Sequence, residues 1–274
     1  MKLNSNTYQI LAKNIKITLT DPSAVSDVFD KFVSSDRDAA VSVVFDCDSE
    51  QKNCYGIGYL SEKNKKIKNV FFSQKSRAQM MYTCEDDYFE HNLMIDDTCT
   101  KEVLSELLMV GFYSHMSLQS TLLMHASAVK HEGKSIVFTA SSGVGKTTQA
   151  ELWAKYKGAV ILNGDKVFLK REDDGIHAWG SPWKGSSPYG ENASAPLRAI
   201  VALEQAEENS IRKLEGLEVL EYVVPHVFFP AWDERCEQAV LTFLDQVLGE
   251  TEVYLLKCRP DEAAVELLAS TIKE

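Results

Sequence analysis

Residues 140–147, Ala-Ser-Ser-Gly-Val-Gly-Lys-Thr, have the composition of a phosphate-binding P-loop. In such a loop, glycines let backbone N–H groups curl around an anion, and the N-terminus of the next helix points at it. The lysine reaches the outer phosphates and the following hydroxyl binds Mg²⁺. The pattern predicts nucleotide contacts from Ser141, Ser142, Gly143, Val144, Gly145, Lys146, Thr147 and Thr148. The strict motif has glycine at the first position, where this chain has Ala140.

Asp165 is the acidic residue whose position best suits phosphate chemistry beside this loop. It follows an apolar run at residues 159–162, in the sequence Asn163-Gly164-Asp165. Side chains at the carboxyl ends of strands collect around the ligand crevice of α/β sheets. Phosphoryl transfer needs a carboxylate there, either to orient Mg²⁺ or to accept a proton. Asn-Gly-Asp is also a sequence typical of a β-hairpin turn. A turn and a functional acid are compatible here, because a tight turn can also present an acid.

His125 lies inside an otherwise apolar segment, residues 122–129. Strand alternation puts it on one face with Leu123, Ser127 and Val129. From the sequence alone it is either a buried structural histidine or a catalytic group. His177 and His226 have no partner pattern, and we interpret them as structural or surface residues.

A long segment at residues 179–196 contains several Gly and Pro residues together with Trp183 and Lys184. Long segments without regular structure are often functional. We expect this one either to cover the phosphate site and hold a substrate through Trp183 and Lys184, or to be a surface excursion.

The predicted strands and helices around these residues indicate an α/β chain with two domains. Residues 1–118 form a smaller, strand-rich domain ending in a helix, and residues 119–274 form the nucleotide-binding domain. In the first, short β-branched and aromatic runs predict strands at 41–45, 55–59, 66–73 and 80–84, and helices at 21–35 and 101–118. In the second we predict strands at 121–129, 135–139, 159–162, 166–170, 199–203 and 252–258, with helices at 147–157, 233–248 and from 260 onward.

The composition excludes several classes of partner. The chain has 274 residues and a formal net charge of -11, so neither nucleic acid nor an anionic membrane is an expected partner. The first residues are too polar for a signal peptide and no apolar run is long enough to cross a bilayer, so we expect a cytoplasmic protein. The six cysteines form no CxxC pair that would indicate zinc or redox chemistry.

Three segments together resemble the HPr kinase/phosphorylase family, which shares its nucleotide-binding core with phosphoenolpyruvate carboxykinase. They are His-Ala-Ser-Ala-Val at 125–129, the P-loop, and Asn-Gly-Asp-Lys-Val at 163–167. Gly-Ser-Pro-Trp at 180–183 and Pro-Leu-Arg-Ala-Ile at 196–200 are similar to the HPr-kinase-like proteins found beside peptide-modification genes. The resemblance implies a mixed-sheet P-loop domain and a kinase that uses Mg²⁺ and ATP, or another nucleoside triphosphate.

The resemblance also implies roles for individual residues. Lys146 and Thr147 would hold phosphate and Mg²⁺, and Asp165 would be a metal ligand and the proton acceptor. His125 would lie at the transfer centre. The acceptor would be a serine- or threonine-type hydroxyl on a peptide, small protein or small molecule. Pyrophosphate or GTP as donor stays open, as does a homo-oligomer, since that family often forms oligomers.

Two positions depart from the family pattern. Gly164 stands where the family has the first aspartate of a pair, and residues 177–180, His-Ala-Trp-Gly, stand where it has a metal-binding glutamate. These departures favour an alternative: a catalytically weak or inactive nucleotide-binding accessory protein that recognises a peptide partner.

Overall fold

The computed structural model describes residues 4–19, 29–34, 43–48, 67–72, 80–85, 87–94 and 100–272. The chain divides into two compact units, Met1–Leu118 and Gln119–Glu274. Both contain mixed sheets accompanied by helices, so the predicted α/β class is confirmed. None of the described helices is long and apolar enough to cross a membrane.

The first unit is built on a six-stranded sheet with the order β1-β2-β3-β6-β5-β4. Its strands are β1 (Asn4–Ile10), β2 (Lys13–Leu19), β3 (Val43–Asp48), β4 (Ile67–Phe72), β5 (Met80–Glu85) and β6 (Glu90–Met94). The β2–β3 and β3–β6 pairs are parallel and the other pairs antiparallel. One helix, α1 (Lys101–Ser117), follows the sheet, and the hydroxyl of Thr100 accepts a hydrogen bond from Val103 N at its start.

Most predictions for this unit fall on described residues. The strands expected at 66–73 and 80–84 and the helix at 101–118 are confirmed at nearly those bounds, and the strand expected at 41–45 lies at Val43–Asp48. The strand expected at 55–59 lies outside the described residues. The helix expected at 21–35 is described only from residue 29, where Asp30–Phe32 form a 3₁₀ turn. Strands β1, β2 and β6 were not predicted.

The second unit is built on a nine-stranded sheet whose main path is β11-β10-β7-β8-β12-β15-β13, with β9 and β14 also pairing with β7. Its strands are β7 (Thr121–His131), β8 (Lys134–Thr139), β9 (Val160–Asn163), β10 (Lys166–Glu172), β11 (Gly175–Trp179), β12 (Ser194–Gln205), β13 (Ser210–Lys213), β14 (Val227–Phe228) and β15 (Glu252–Cys258). Its helices are α2 (Lys146–Lys157), α3 (Leu217–Val223), α4 (Glu234–Glu250) and α5 (Glu262–Thr271). The predicted strands and helices of this half are all present; β11, β13, β14 and α3 were not predicted.

Strands β8, β12 and β15 are parallel neighbours near the middle of this sheet. Their apolar side chains pack with α2 and α5 into one core that includes Phe138, Trp153, Val201, Leu256 and Val265. Because the three strands run the same way, the segments that follow them meet at one edge of the sheet. In open α/β sheets this edge forms the ligand crevice.

Candidate functional site

The P-loop leaves β8 at Thr139 and enters α2 at Lys146. Gly143 and Gly145 have φ angles of 82° and 124°, which glycine adopts without the Cβ clash that other residues suffer. Gly145 is the N-cap, and no side chain among the described residues caps this helix start. The free N–H groups and the positive dipole end of α2 therefore face the loop, an arrangement that binds anions.

Lys146 lies across its own loop and is only 7% exposed. Its Nζ donates hydrogen bonds to the carbonyl oxygens of Ala140 (3.0 Å) and Ser141 (3.4 Å). The Ser127 hydroxyl donates to the Lys146 carbonyl at 2.7 Å, which fixes the start of the helix to β7. Burial lowers the pKa of the Lys146 ammonium, and the nearby Asp165 carboxylate opposes that shift. The Lys146 ammonium is thus held against the backbone of the P-loop.

Asp165, His125 and Lys166 form one cluster of polar side chains beside the loop. Strand β7 pairs with β10 so that His125 lies opposite Lys166, and Ala126 N donates to Asp165 O at 3.0 Å. Asp165 Oδ1 lies 3.2 Å from His125 Nε2, and Oδ2 lies 2.7 Å from Lys166 Nζ. The hydrogen bond from His125, followed by that from Lys166, holds the pKa of the Asp165 carboxyl far below its usual range. The carboxylate is therefore ionised, and with 24% of its side chain exposed it remains accessible to a ligand.

Asn163, which sequence reasoning left out of the site, fixes the turn that presents Asp165. It is fully buried, and its Oδ1 accepts hydrogen bonds from the backbone N atoms of Asp165 and Lys166, both at 2.8 Å. Its Nδ2 donates to the carbonyl oxygens of Ser181 (3.0 Å) and Trp183 (3.2 Å). One side chain thus connects the acid to the segment after β11. The Asn-Gly-Asp sequence predicted the turn, but no local pattern predicted the hydrogen bonds from Asn163 to Ser181 and Trp183.

The segment at 180–193 has no regular helix or strand, as expected, and it lies over the acid. Trp183 is buried against the Phe168 ring, with centroids 6.0 Å apart, and Lys184 Nζ donates to Pro188 O of its own segment at 3.1 Å. Gly185 lies close to the carboxylate, because a Cβ added there would lie 2.7 Å from Asp165 Oδ2. Trp183 therefore fixes this segment to β10, and Gly185 lies against the Asp165 carboxylate. A substrate contact by Trp183 or Lys184 stays a prediction.

Ser187 explains why glycine stands at position 164. A Cβ added to Gly164 would lie 2.7 Å from Ser187 Cβ and closer still to Ser187 Oγ. The Gly164 carbonyl meanwhile accepts a hydrogen bond from Thr147 Oγ1 at 3.1 Å. The space that a second carboxylate would need is thus filled by a hydroxyl-bearing side chain, and the P-loop is joined directly to the Asp165 turn.

His226 is a residue of this region that sequence reasoning assigned to structure or surface. It ends the 3₁₀ turn Val224–His226 and lines an 800 Å³ cavity together with Ser141, Ser142, Glu204 and Tyr222. Burial, followed by the positive charges of Lys146 and His125, lowers the pKa of its imidazole. No spacing pattern could have found it, because only the chain path after α3 brings it here. His177 instead pairs with Asp174 at 2.8 Å, consistent with a structural role.

Thr147 and Asp165 have the right chemistry for a magnesium ion held partly by phosphate. Among the described residues there is no group of three or more His, Cys, Asp or Glu side chains that could bind a metal alone. Mg²⁺ commonly takes only one or two side chains and completes its shell with water and phosphate oxygens. Thr147 donates its proton to Gly164 O, which leaves its oxygen lone pairs available, and Asp165 supplies a charged oxygen. The pair fits such an ion.

Comparison with known proteins adds a distant similarity. No protein-family model matches the chain, and no curated protein matches it. Among solved structures, the Hpr(Ser) kinase/phosphatase from Coxiella burnetii is similar, with 10% sequence identity and a TM-score of 0.34 over 55% of this chain and 95% of that chain. A TM-score of this size does not decide between functions, so the functional conclusion rests on the geometry of the site.

Proposed function

We propose that this protein is a kinase: a Mg²⁺-nucleoside triphosphate, most simply ATP, binds at the P-loop and its terminal phosphoryl group passes to an alcohol. The acceptor would be a serine- or threonine-type hydroxyl on a peptide, a small protein or a small molecule. The observation that carries the proposal is the position of the Asp165 carboxylate, joined to the P-loop through the Thr147–Gly164 hydrogen bond and held by His125 and Lys166. The resemblance of these segments to HPr kinases supports the same reaction.

The chain's own groups divide the work of binding and transfer. The N–H groups at the start of α2 and the Lys146 ammonium take the charge of the phosphates. Thr147 and Asp165 would hold Mg²⁺, which neutralises charge on the transferred group when bound. The acceptor oxygen forms a bond to the terminal phosphorus as the bridging P–O bond breaks, and a nucleoside diphosphate leaves.

The acceptor's proton goes to the His125–Asp165 pair. A carboxylate whose pKa lies far below its usual range is a weak proton acceptor on its own. Phosphoryl transfer has a loose transition state, so orientation of the hydroxyl matters more than its early deprotonation. Asp165 therefore acts chiefly by aligning the acceptor hydroxyl and His125. The proton of that hydroxyl reaches Asp165 only late, as the new P–O bond forms.

The test is transfer of label from γ-labelled ATP to a degenerate serine/threonine peptide library, with and without Mg²⁺. We expect Asp165→Asn to retain nucleotide binding and to lose transfer by at least about 100-fold, within the range attributed to one acid–base group. The matched control is Asp173→Asn, an exposed acid in the turn between β10 and β11, which should transfer like the parent. Full transfer by Asp165→Asn would overturn the role given to this residue.

A second function is favoured by one observation, the Ser187 side chain packed where a second carboxylate would lie. With one acid in place of two, the same site suits an accessory protein that binds nucleotide and a peptide partner without transfer. Tight binding of ATP with no labelled product and no ADP formed would favour this function. Labelled product would exclude it.

A further inference from the structure

Strands β8 and β14 share one edge of β7 and leave a gap between them at His125. Strand β8 ends at Thr139, opposite the residue after His125, and β14 begins at Val227, opposite the residue before it. Strand β10 occupies the other edge of β7. The P-loop starts directly after Thr139, and His226 directly precedes Val227. The loop and His226 therefore lie on either side of the same gap.

His226 contributes an unbonded imidazole to the cavity of about 800 Å³ that it lines together with Ser141 and Ser142 of the P-loop. The residue is half-buried. Among the residues that the structure describes, no group forms a hydrogen bond or an ion pair with its ring. An imidazole that has lost part of its hydration without gaining a protein partner suits a ligand that can hydrogen-bond to it.

The two carboxylates of the cavity lining do not serve as that partner. Glu204 is already bonded to Tyr222 OH at 2.7 Å and to Lys257 Nζ at 2.8 Å. Glu221 is exposed, and neither acid is among the groups that shift the pKa of His226. The partner of the imidazole is therefore to be sought in a ligand.

Lys146 connects His226 to the place where phosphoryl transfer would occur. The Lys146 Nζ donates hydrogen bonds to the carbonyl oxygens of Ala140 and Ser141, which both line the cavity. The same ammonium interacts electrostatically with Asp165 and with His226. A phosphoryl group bound by Lys146 would therefore lie close both to the acid that aligns the acceptor and to the imidazole.

The protonation state of His226 suits a hydrogen-bond donor. Burial, followed by Lys146 and His125, lowers the pKa of its imidazole. Before a ligand binds, the ring is therefore uncharged at neutral pH, and a neutral imidazole carries one N–H donor.

We propose that His226 is a catalytic residue that donates a hydrogen bond to the terminal phosphoryl group during its transfer. The N–H group stabilises the negative charge on an oxygen of that group as the bridging P–O bond breaks, because a donor already in place costs no reorganisation. His226 gives up no proton and forms no covalent bond in this step. The inference rests on the proposed function, since it takes the phosphates to lie in the P-loop.

The experiment measures transfer of label from γ-labelled ATP to the serine/threonine peptide library by the full-length parent and by variants of His226. We expect His226→Ala to lower kcat at least about 100-fold, as removal of one donor to a developing oxyanion does, and to change KM for ATP by less than about threefold. The amides of His226→Gln and His226→Asn can reach the positions of the two ring nitrogens, so the better of the two should recover at least about tenfold of the loss.

The control is His131→Ala, at the last residue of β7, which should transfer like the parent. Urea unfolding checks that each variant folds, and His226→Leu replaces His226→Ala if the latter does not. Because no hydrogen bond to the ring exists in the described part of the chain, the unfolding midpoint should change little.

The remaining results separate this inference from the proposed function. Transfer by His226→Ala at the parent's rate overturns the inference and leaves the proposed function standing. A rise in KM that accounts for the whole loss, or no recovery by either amide variant, also overturns the donor role. If the parent forms no labelled product, the proposed function is overturned and this inference falls with it.

Discussion

Replacing Gly164 with alanine measures how fully Ser187 occupies the space beside the Asp165 turn. The added methyl would lie 2.7 Å from Ser187 Cβ, a distance that real Cβ atoms essentially never show. Gly164 does not have a positive φ angle, so its backbone suits alanine and the cost arises from the contact alone. Rotation of the Ser187 hydroxyl cannot relieve that contact, because Ser187 Cβ is itself involved.

The expected magnitude follows from packing and hydrogen bonding. Overfilling a packed site typically costs about 1–3 kcal/mol, so Gly164→Ala should lower the free energy of unfolding by that amount. Ser187→Gly removes the hydrogen bond that Tyr189 N donates to Ser187 Oγ at 3.2 Å, a loss of about 1 kcal/mol. In the double variant the methyl enters vacated space, so the alanine cost should largely disappear and leave a coupling of about 1–3 kcal/mol.

The assay is urea unfolding of the four proteins followed by tryptophan fluorescence. The four tryptophans, residues 153, 179, 183 and 232, all lie in the Gln119–Glu274 unit, so the signal reports that unit alone. Strictly additive costs, within about 0.5 kcal/mol, would refute the claim that Ser187 fills the space of a residue-164 side chain.

Three further perturbations test separate parts of the structure. Because the folded-state pKa of Asp165 is lowered, the stabilisation from this carboxylate should be present above about pH 4 and be lost as pH falls further. The free energies of unfolding of the parent and Asp165→Asn should therefore differ by about 1.5 kcal/mol at neutral pH and by less in acid. A difference that stays constant with pH would contradict this. Gly185→Ala would push a methyl against Asp165 Oδ2 and should slow phosphoryl transfer about 10- to 100-fold while ATP still binds. Its control is Gly175→Ala, which has a positive φ of 136° and nothing within 4 Å, and which should cost stability without slowing transfer. Burial lowers the pKa of His91 to about 3, so the unfolded Met1–Leu118 unit binds a proton at a pH where the folded unit does not. Hydrogen exchange should show the stability of this unit falling by at least about 1.4 kcal/mol per pH unit between about pH 6 and pH 4. His91→Gln should reduce that slope by about the same amount, and the remainder comes from His115, whose pKa burial also lowers.

Local chemistry made the P-loop and its helix predictable from sequence. Gly143 and Gly145 are required by their φ angles, and Lys146 and Thr147 follow at fixed spacing, so a short window holds the whole signal. Helix α2 starts at Lys146, one residue before the predicted start. Strands β8, β12 and β15 were also predictable, because buried parallel strands are nearly continuous apolar runs.

The contacts that could not be predicted from the sequence depend on pairing between residues far apart in the chain. The His125–Asp165 contact depends on the register between β7 and β10, which no local pattern specifies. The same holds for Ser187 beside Gly164, since a single serine in a long segment carries no signal. The missed strand β13 and helix α3 have few buried residues, and without a buried face the hydrophobic periodicity that marks an element is weak.

Calorimetric titration of Mg²⁺-ATP into the parent and into Lys146→Ala shows whether residues 140–147 bind the phosphates of a nucleotide. The control is Lys155→Ala, an exposed lysine on the same helix. If residues 140–147 form a nucleotide phosphate cradle, the parent and Lys155→Ala bind alike, and Lys146→Ala binds at least about 100-fold more weakly because a buried charge-assisted contact is lost. Equal affinity of Lys146→Ala and the parent, or no binding by the parent, would contradict the account.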